Sequence, residues 1–157
     1  MLRALPLLLS GAAVAVLAAC TGVSTAQVTA VATDAAAVAA DMQSLVSTAK
    51  TQGTLSPTEV AAVQAAISKV TTDVAALKTG SSSTTAAQVL ADVNTAISVA
   101  EPFLPMIGSL VGHPVATMGA TPASAALATA MVPLKFDYDH LKFDVDNIKA
   151  AGAASAL

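Results

Sequence analysis

The chain has 157 residues, of which 55% are hydrophobic but only 3% aromatic, and its net charge is −3. Thirty-eight residues are alanine, which has the highest helix propensity but buries little area, so the composition favours one helical domain with a thin core. The low charge content of 11% and the negative balance leave no basic surface for a nucleic-acid backbone, and we expect no nucleic acid partner.

The first 19 residues have the pattern of a secretory signal peptide. Arg3 gives a short positively charged start, residues 4–17 are mainly apolar, and Ala18 and Ala19 provide a small-residue cleavage context. The apolar stretch is too short for a comfortable membrane span. We therefore predict an N-terminal signal helix over residues 1–19 that is removed from the mature protein.

Leu17-Ala18-Ala19-Cys20 resembles the lipobox of bacterial lipoproteins, the sequence that lipoprotein signal peptidase recognises. The resemblance implies that the first three residues are read by the peptidase. It also implies that Cys20 is diacylglycerated on sulfur and then acylated as the new amino terminus. Such a protein would be anchored in the cell envelope, on the periplasmic face of the outer membrane in a Gram-negative source.

The chemistry of Cys20 supports the lipobox interpretation. Cys20 is the only cysteine, so an exported chain has no intrachain disulfide for it, and lipidation removes the risk of unwanted pairing. Several acyl chains also give stable membrane binding where one chain gives only marginal binding. We predict that residues 20–25 form a lipidated tether to the membrane.

The first predicted helix begins after a cap at Ser24 and Thr25 and ends at Gly53. Its larger residues alternate at spacings of three and four, which is the heptad seam of a helix that packs along another helix. These residues are Val28, Val31, Ala35, Val38, Met42, Leu45 and Ala49.

The second predicted helix has a strong start signal. Ser56 is a suitable N-cap, Pro57 fits the first helical position, and Glu59 completes a capping box. Leu55 and Val60 can form a hydrophobic staple across this start. Gly80 ends the helix. The heptad seam continues through Val60, Val63, Ile67, Val70, Val74 and Leu77. The short connection predicts an antiparallel hairpin of two helices.

Thr85 and Gln88 can cap a third helix, and the two prolines at 102 and 105 predict a kink or a restart near Glu101. Its seam keeps phase across the prolines: Leu90, Val93, Ile97, Ala100, Leu104, Ile107 and Val111.

Residues 112–121 are rich in breakers and predict a loop. A fourth helix can start at Pro122 with Thr121 as its cap, and Pro133 is expected to bend or interrupt it. Its seam is Leu127, Met131, Leu134, Tyr138, Leu141, Val145 and Ile148. We therefore predict an all-α fold, an Ala-rich antiparallel up-and-down bundle of about four helices over residues 26–150, followed by a disordered tail over 151–157.

The segment LKFDYDHLKFDVDN, residues 134–147, nearly repeats itself after seven residues. A strand would put the apolar residues of its two halves on opposite faces, whereas a helix collects them in one stripe. On a helix Lys135 with Asp139, and Lys142 with Asp146, become i,i+4 ion pairs.

Phe136 and Phe143 then lie on the helix face opposite the seam. Two interpretations are open. The side chains pack against another part of the chain, such as the loop before Thr121, or they form an exposed contact ridge that binds a protein partner or the lipid surface.

The aspartates of this segment do not predict a metal site. Asp137 and Asp139 are two residues apart, as are Asp144 and Asp146, so the members of each pair diverge on a helix, and no glycine stands where an EF-hand loop needs one. We interpret them as a solvated acidic face, and we expect no metal and no cofactor.

Catalytic motifs are also weak. Ser47-Thr48-Ala49-Lys50 and Lys78-Thr79-Gly80 resemble two motifs of penicillin-recognising serine enzymes, but the third, S-D-N, is absent and the chain is too short for that fold. We predict no catalytic residues.

The leading functional hypothesis is a non-enzymatic, membrane-anchored envelope lipoprotein that acts through helix-mediated contacts with a protein of the envelope. One alternative is a membrane-active protein, for instance a phage-like lysis or pore component, that uses residues 102–132 with their small-xxx-small pattern Gly108 to Gly112. Another is a small ligand- or metal-binding periplasmic module that uses the bundle interior or the aspartate-rich face.

Overall fold

The computed structural model of the chain describes residues 23–80, 85–112 and 122–154. The predicted signal peptide, the lipobox with Cys20 and the start of the tether lie outside the described residues. The described part is helical and contains no strand, which confirms the predicted all-α bundle. Its elements are α1 (Thr25–Thr51), α2 (Pro57–Lys78), α3 (Ala86–Ala100), a 3-10 helix (Pro105–Val111) and α4 (Pro122–Ala154).

The first two helices begin where the sequence predicts, and each starts with a complete capping box. At α1 the Ser24 hydroxyl accepts a hydrogen bond from the Gln27 backbone N–H at 3.2 Å, and the Gln27 side chain accepts one from the Ser24 backbone N–H at 2.8 Å. Ser56 and Glu59 repeat the arrangement at α2. Two N–H groups that the helix leaves unpaired are thereby satisfied at each start.

Glycines end α1 and α2 as predicted. Gly53 and Gly80 have φ angles of 69° and 70°, the left-handed conformation that glycine adopts without steric cost. The Gly53 N–H donates to the carbonyl of Lys50, and the Thr54 N–H to that of Ala49, so the last turn of α1 closes on itself.

Helix α1 lies at the centre of the bundle, because it packs against α2, α3 and α4, whereas α2 and α4 do not touch each other within the described residues. The short connections after α1 and α2 make α1, α2 and α3 successively antiparallel. Four alanines let neighbouring helices approach α1 closely. The buried residues of α1 are Val31, Ala32, Ala35, Val38, Ala39, Met42, Leu45, Val46 and Ala49.

The heptad seams predicted from the sequence form the core. In α2 the six predicted residues are the six that are buried. In α1 all predicted residues except the half-buried Val28 are inside. In α4 the buried members are Leu127, Leu134, Tyr138, Leu141 and Val145, while Met131 and Ile148 are half-buried.

The two prolines after α3 cause the predicted restart. α3 ends at Ala100 and the 3-10 helix begins at Pro105, yet Leu104 and Ile107 remain buried, so the apolar seam crosses the break. Gly108, in the 3-10 helix, lies against the side chain of Glu101. A Cβ atom there would lie 2.5 Å from a carboxylate oxygen of Glu101, so the glycine makes room for that side chain.

Helix α4 is continuous, so the predicted interruption at Pro133 does not occur. Because proline has no N–H, the carbonyl of Thr129, four residues before Pro133, has no donor within the helix. Both residues are exposed, so water can donate to that carbonyl. The helix extends to Ala154, four residues beyond the expected boundary at 150, while residues 155–157 and the predicted cap Thr121 lie outside the described residues.

One of the two predicted ion pairs on α4 is present. Lys135 Nζ lies 2.7 Å from Asp139 Oδ2, as predicted. Asp146 pairs with Lys149, at 3.4 Å, instead of with Lys142. An i,i+3 partner is as close on a helix surface as an i,i+4 partner, so the exchange has little structural consequence.

Among the described residues one helix, α2, is long and apolar enough to cross a membrane by length and composition alone. Only one third of the most apolar stretch of α2 is buried. Its buried residues form a single seam, and the rest of its surface is mainly alanine, serine and threonine. The described part of residues 102–132, which the membrane-active alternative uses, contributes no such helix.

Candidate functional site

The outer face of α4 exposes large apolar side chains. Phe136 and Phe143 are 62% and 65% exposed, and Val132, at 69%, precedes Phe136 by one turn. Spacings of four and seven residues place all three on one line along the helix, opposite its buried seam. We call Val132, Phe136 and Phe143 the phenylalanine ridge. Phe136 and Phe143 are thus exposed among the described residues, while the loop before Thr121, the other contact that the sequence suggested, lies outside them.

His140 stacks on Phe136, the middle residue of the ridge. Its ring is tilted by 35° against that of Phe136, with 4.5 Å between the ring centroids. This separation is at the short end of the usual range for stacked rings. Phe136 therefore has a neighbour that limits its side-chain freedom, which lowers the entropy cost of a contact made through it.

An open groove runs beside the ridge, between α4 and the 3-10 helix. Met131, Val132 and Phe136 give it an apolar floor, and Ser109 lies on its opposite wall. The ion pair of Lys135 with Asp139 forms its edge. An apolar floor with a polar edge suits a side chain of a partner protein better than a small polar substrate.

The flank of α4 that faces α1 carries acidic residues in pairs. Asp144 and Asp137 of α4 are half-buried and lie across the helix interface from the half-buried Asp34 and Asp41 of α1, near enough to repel them. We call Asp34–Asp144 and Asp41–Asp137 the carboxyl ladder. The two rungs are seven residues apart on both helices, which run antiparallel.

The predicted solvated acidic face is therefore half correct. It describes Asp139 and Asp146, whose side chains are 57% and 58% exposed and paired with lysines. It is wrong for Asp137 and Asp144, because the helix turns them toward α1. The sequence held a signal for this arrangement, since Asp34 and Asp41 are also seven residues apart, but only the register of α1 against α4 brings the two pairs together.

Burial raises the pKa of Asp34 and of Asp41 above the ordinary value of 3.8. Repulsion adds to this effect, mainly from Asp144 at Asp34 and from Asp137 at Asp41. At Asp34 the nearby His140 acts in the opposite direction. Both carboxyl groups thus hold a proton more readily than an exposed aspartate.

A different arrangement holds Asp92, the buried charged residue of the described chain, at the interface of α2 and α3. Its Oδ2 lies 2.8 Å from Lys69 Nζ, which also contacts Asp73 Oδ2 at 2.7 Å. Gln88 Nε2 donates to Asp92 Oδ1 at 3.2 Å. Sequence reasoning missed this cluster, because nothing in the local pattern distinguishes Asp92 from a surface aspartate.

Tyr138 links α4 to α3 through the bundle interior. Its hydroxyl donates to Asn94 Oδ1 at 2.7 Å, and burial raises the pKa of this phenol. The bond satisfies a polar tip at a seam position, so Tyr138 is a core residue with one directional contact.

The structure does not assemble the two weak catalytic motifs. Ser47 and Lys50 lie near the carboxyl end of α1, next to the start of α2, while Lys78 lies at the far end of that helix. Twenty-two helical residues separate them by about 33 Å. Within the described ranges, no group of three or more His, Cys, Asp or Glu residues is placed to hold a metal ion.

Comparison with protein-family models, with curated proteins and with solved structures finds no match to this chain.

Proposed function

We propose that the chain is a lipid-anchored, non-enzymatic protein of the bacterial cell envelope that acts through protein contacts made by the phenylalanine ridge. The observation that carries the proposal is the lipobox Leu17–Cys20, which places the single cysteine at the position where lipoproteins are acylated. Acylation of this thiol would attach the protein to a membrane.

The start of α1 limits how far the bundle can lie from such a membrane. The helix begins at Thr25, five residues after Cys20. A fully extended chain covers at most about 3.6 Å per residue, so the tether spans roughly 18 Å or less. The bundle would thus stay beside the lipid headgroups, where its outer face meets other envelope proteins.

The ridge supplies the contact. Phe136 and Phe143 together expose two aromatic rings on the outer face of α4, in line with the exposed Val132. Buried aromatic side chains carry much of the binding energy in protein interfaces. Three apolar residues make a small interface, which alone gives weak binding. Confinement of both partners to one membrane would raise their effective concentration and offset this weakness.

Membrane fractionation of cells that produce the wild type or Cys20→Ser tests the anchor. The wild type should sediment with membranes, and the variant should be released by an alkaline wash while circular dichroism shows that its helices persist. A variant that stays in the membrane after this wash would contradict lipid anchoring and would favour the membrane-active alternative.

A photo-crosslinking amino acid at position 143 tests the ridge in living cells. We expect a discrete protein adduct from position 143 that is absent when the same amino acid replaces Ala62, an exposed residue on α2. Adducts of equal yield from both positions, or none from 143, would contradict a contact role for the ridge.

A further inference from the structure

We propose that the carboxyl ladder makes the packing of α4 on α1 depend on acidity, because protons shared within Asp34–Asp144 and Asp41–Asp137 hold the two helices together. The inference does not rest on lipid anchoring, since it concerns only contacts within the bundle.

The geometry requires protons. Each rung places one half-buried carboxyl group of α1 beside one half-buried carboxyl group of α4. Two ionised carboxylates are both acceptors, so neither can donate, and they repel each other. Asp41 Oδ2 is buried and has no hydrogen-bond donor in the described part of the chain. A proton on either member of its rung would supply that donor.

The surroundings of the ladder provide little positive charge. The groups that act on Asp34 are Asp144, His140 and Asp137, all from α4, and Asp137 acts on Asp41. None of the described charged groups of α2 or α3, the other elements that pack against α1, is among them.

The lysines of α4 are occupied elsewhere. Lys135 and Lys149 pair with Asp139 and Asp146 on the outer flank of the helix. Lys142 lies seven residues after Lys135 and seven before Lys149, and therefore on the same flank. His140, exposed and stacked on Phe136, is the one basic side chain near the ladder among the described residues.

The opposite side of the bundle shows what charge compensation does. Asp73 and Asp92 also come together across two helices, but Lys69 bridges both at 2.7 and 2.8 Å. Burial acts most strongly on Asp92 and raises its pKa, yet the hydrogen bonds with Asp73, Lys69 and Gln88 outweigh it and lower the pKa overall. The ladder has the same kind of carboxyl contact without a lysine.

The direction of the pH effect follows from the raised pKa values of Asp34 and Asp41. The folded chain binds protons that the unfolded chain, with an ordinary pKa of 3.8, releases. The resulting stabilisation is fully present below pH 3.8 and is lost as the pH rises through the raised pKa values. Asp92 acts in the opposite sense, because its lowered pKa removes stability only as the pH falls below 3.8.

Helix α4 is the element that responds. It packs mainly along α1, the helix that shares the ladder with it, and within the described residues it has no contact with α2. The phenylalanine ridge lies on the same helix, so acidity changes how firmly the ridge is held against the bundle.

Thermal unfolding of the purified full-length chain at pH 7.5 and pH 4.5, in EDTA to keep divalent cations off the carboxylates, tests the proposal. The wild type should melt roughly 5 °C higher at pH 4.5. Asp34→Asn/Asp41→Asn, which removes two acids and keeps their shape, should melt higher than the wild type at pH 7.5 and lose most of the pH dependence. The matched control Asp139→Asn/Asp146→Asn changes two exposed aspartates that are also seven residues apart, and it should keep the pH dependence of the melting temperature.

A wild type whose melting temperature does not rise on acidification would overturn the proposal. So would an Asp34/Asp41 double variant that keeps the full pH dependence. Amide hydrogen exchange, corrected for its intrinsic pH dependence, gives a readout for α4 alone: protection in α4 should rise more than in α2 between pH 7.5 and 4.5. An equal rise in both helices would overturn the assignment to the ladder.

Discussion

Burial and charge compensation oppose each other at Asp92, where only 6% of the residue is exposed. Burial alone would favour the neutral acid, but Lys69, Gln88 and Asp73 hold the pKa of Asp92 below its ordinary value. An isolated buried charge would be costly, whereas a charge with several hydrogen bonds is tolerated and fixes the register of α2 against α3.

We predict that Asp92→Ala lowers the free energy of unfolding by about 1–3 kcal/mol at pH 7, because Gln88 and Lys69 lose their shared acceptor. Chemical denaturation measures this loss. Asp146→Ala, at an exposed ion pair, should cost less than about 0.5 kcal/mol. The difference between the two variants should shrink as the pH falls below 3.8, since protonation of Asp92 removes the same interaction. Equal losses at pH 7 would contradict this account.

The start of each of the first two helices is decided by a few adjacent residues. The capping box of Ser56 with Glu59 was predicted from the sequence, and at Ser24 the cap was predicted without its partner Gln27. In both boxes the two partners lie within one turn, so the signal is local. Gly53 and Gly80 end their helices for an equally local reason.

Loss of the α1 cap should be measurable. We predict that Ser24→Ala lowers the free energy of unfolding by about 1 kcal/mol, because the Gln27 N–H loses its acceptor. Thr25→Ala changes a neighbouring exposed position inside the helix and should have an effect near zero. A Thr25→Ala loss as large as that of Ser24→Ala, in the same denaturation experiment, would contradict the capping role.

The heptad seams were predictable for the same reason that the caps were, since a 3-4 spacing is a local property of the chain. The predictions of burial were wrong where contact with an element distant in sequence determines which face of a helix is buried. Asp137 and Asp144 looked like surface residues until α1 supplied Asp34 and Asp41 opposite them. Val89, not the predicted Leu90, is fully buried at the start of α3, while Leu90 is half-buried and packs against the core.

At the scale of the whole molecule, α1 is the central support and α4 is the helix that combines three surfaces. Its seam enters the core, one flank bears the carboxyl ladder, and its outer face bears the phenylalanine ridge. An ordinary core helix would have a polar outer face. The separation of the ridge from the core means that its side chains can be changed without loss of the fold.

The three phenylalanines of the chain allow a direct comparison. We predict that Phe143→Ala, at a 65% exposed side chain, leaves the free energy of unfolding within about 0.5 kcal/mol of wild type. Phe103→Ala, at a half-buried residue that packs against the core, should lower it by roughly 1–3 kcal/mol. A larger loss for Phe143→Ala than for Phe103→Ala in urea denaturation would show that the ridge belongs to the core.

The proposed place of this bundle in the cell depends on the chemistry of Cys20. Intact-mass analysis of the protein isolated from bacterial membranes, with sequencing of its amino-terminal peptide, tests that chemistry most directly. We predict a chain that begins at Cys20 and carries a diacylglyceryl group and an N-linked acyl chain, and a Cys20→Ser variant that carries neither. A mature chain that begins at another residue, or an unmodified Cys20 thiol, would contradict the lipid anchor.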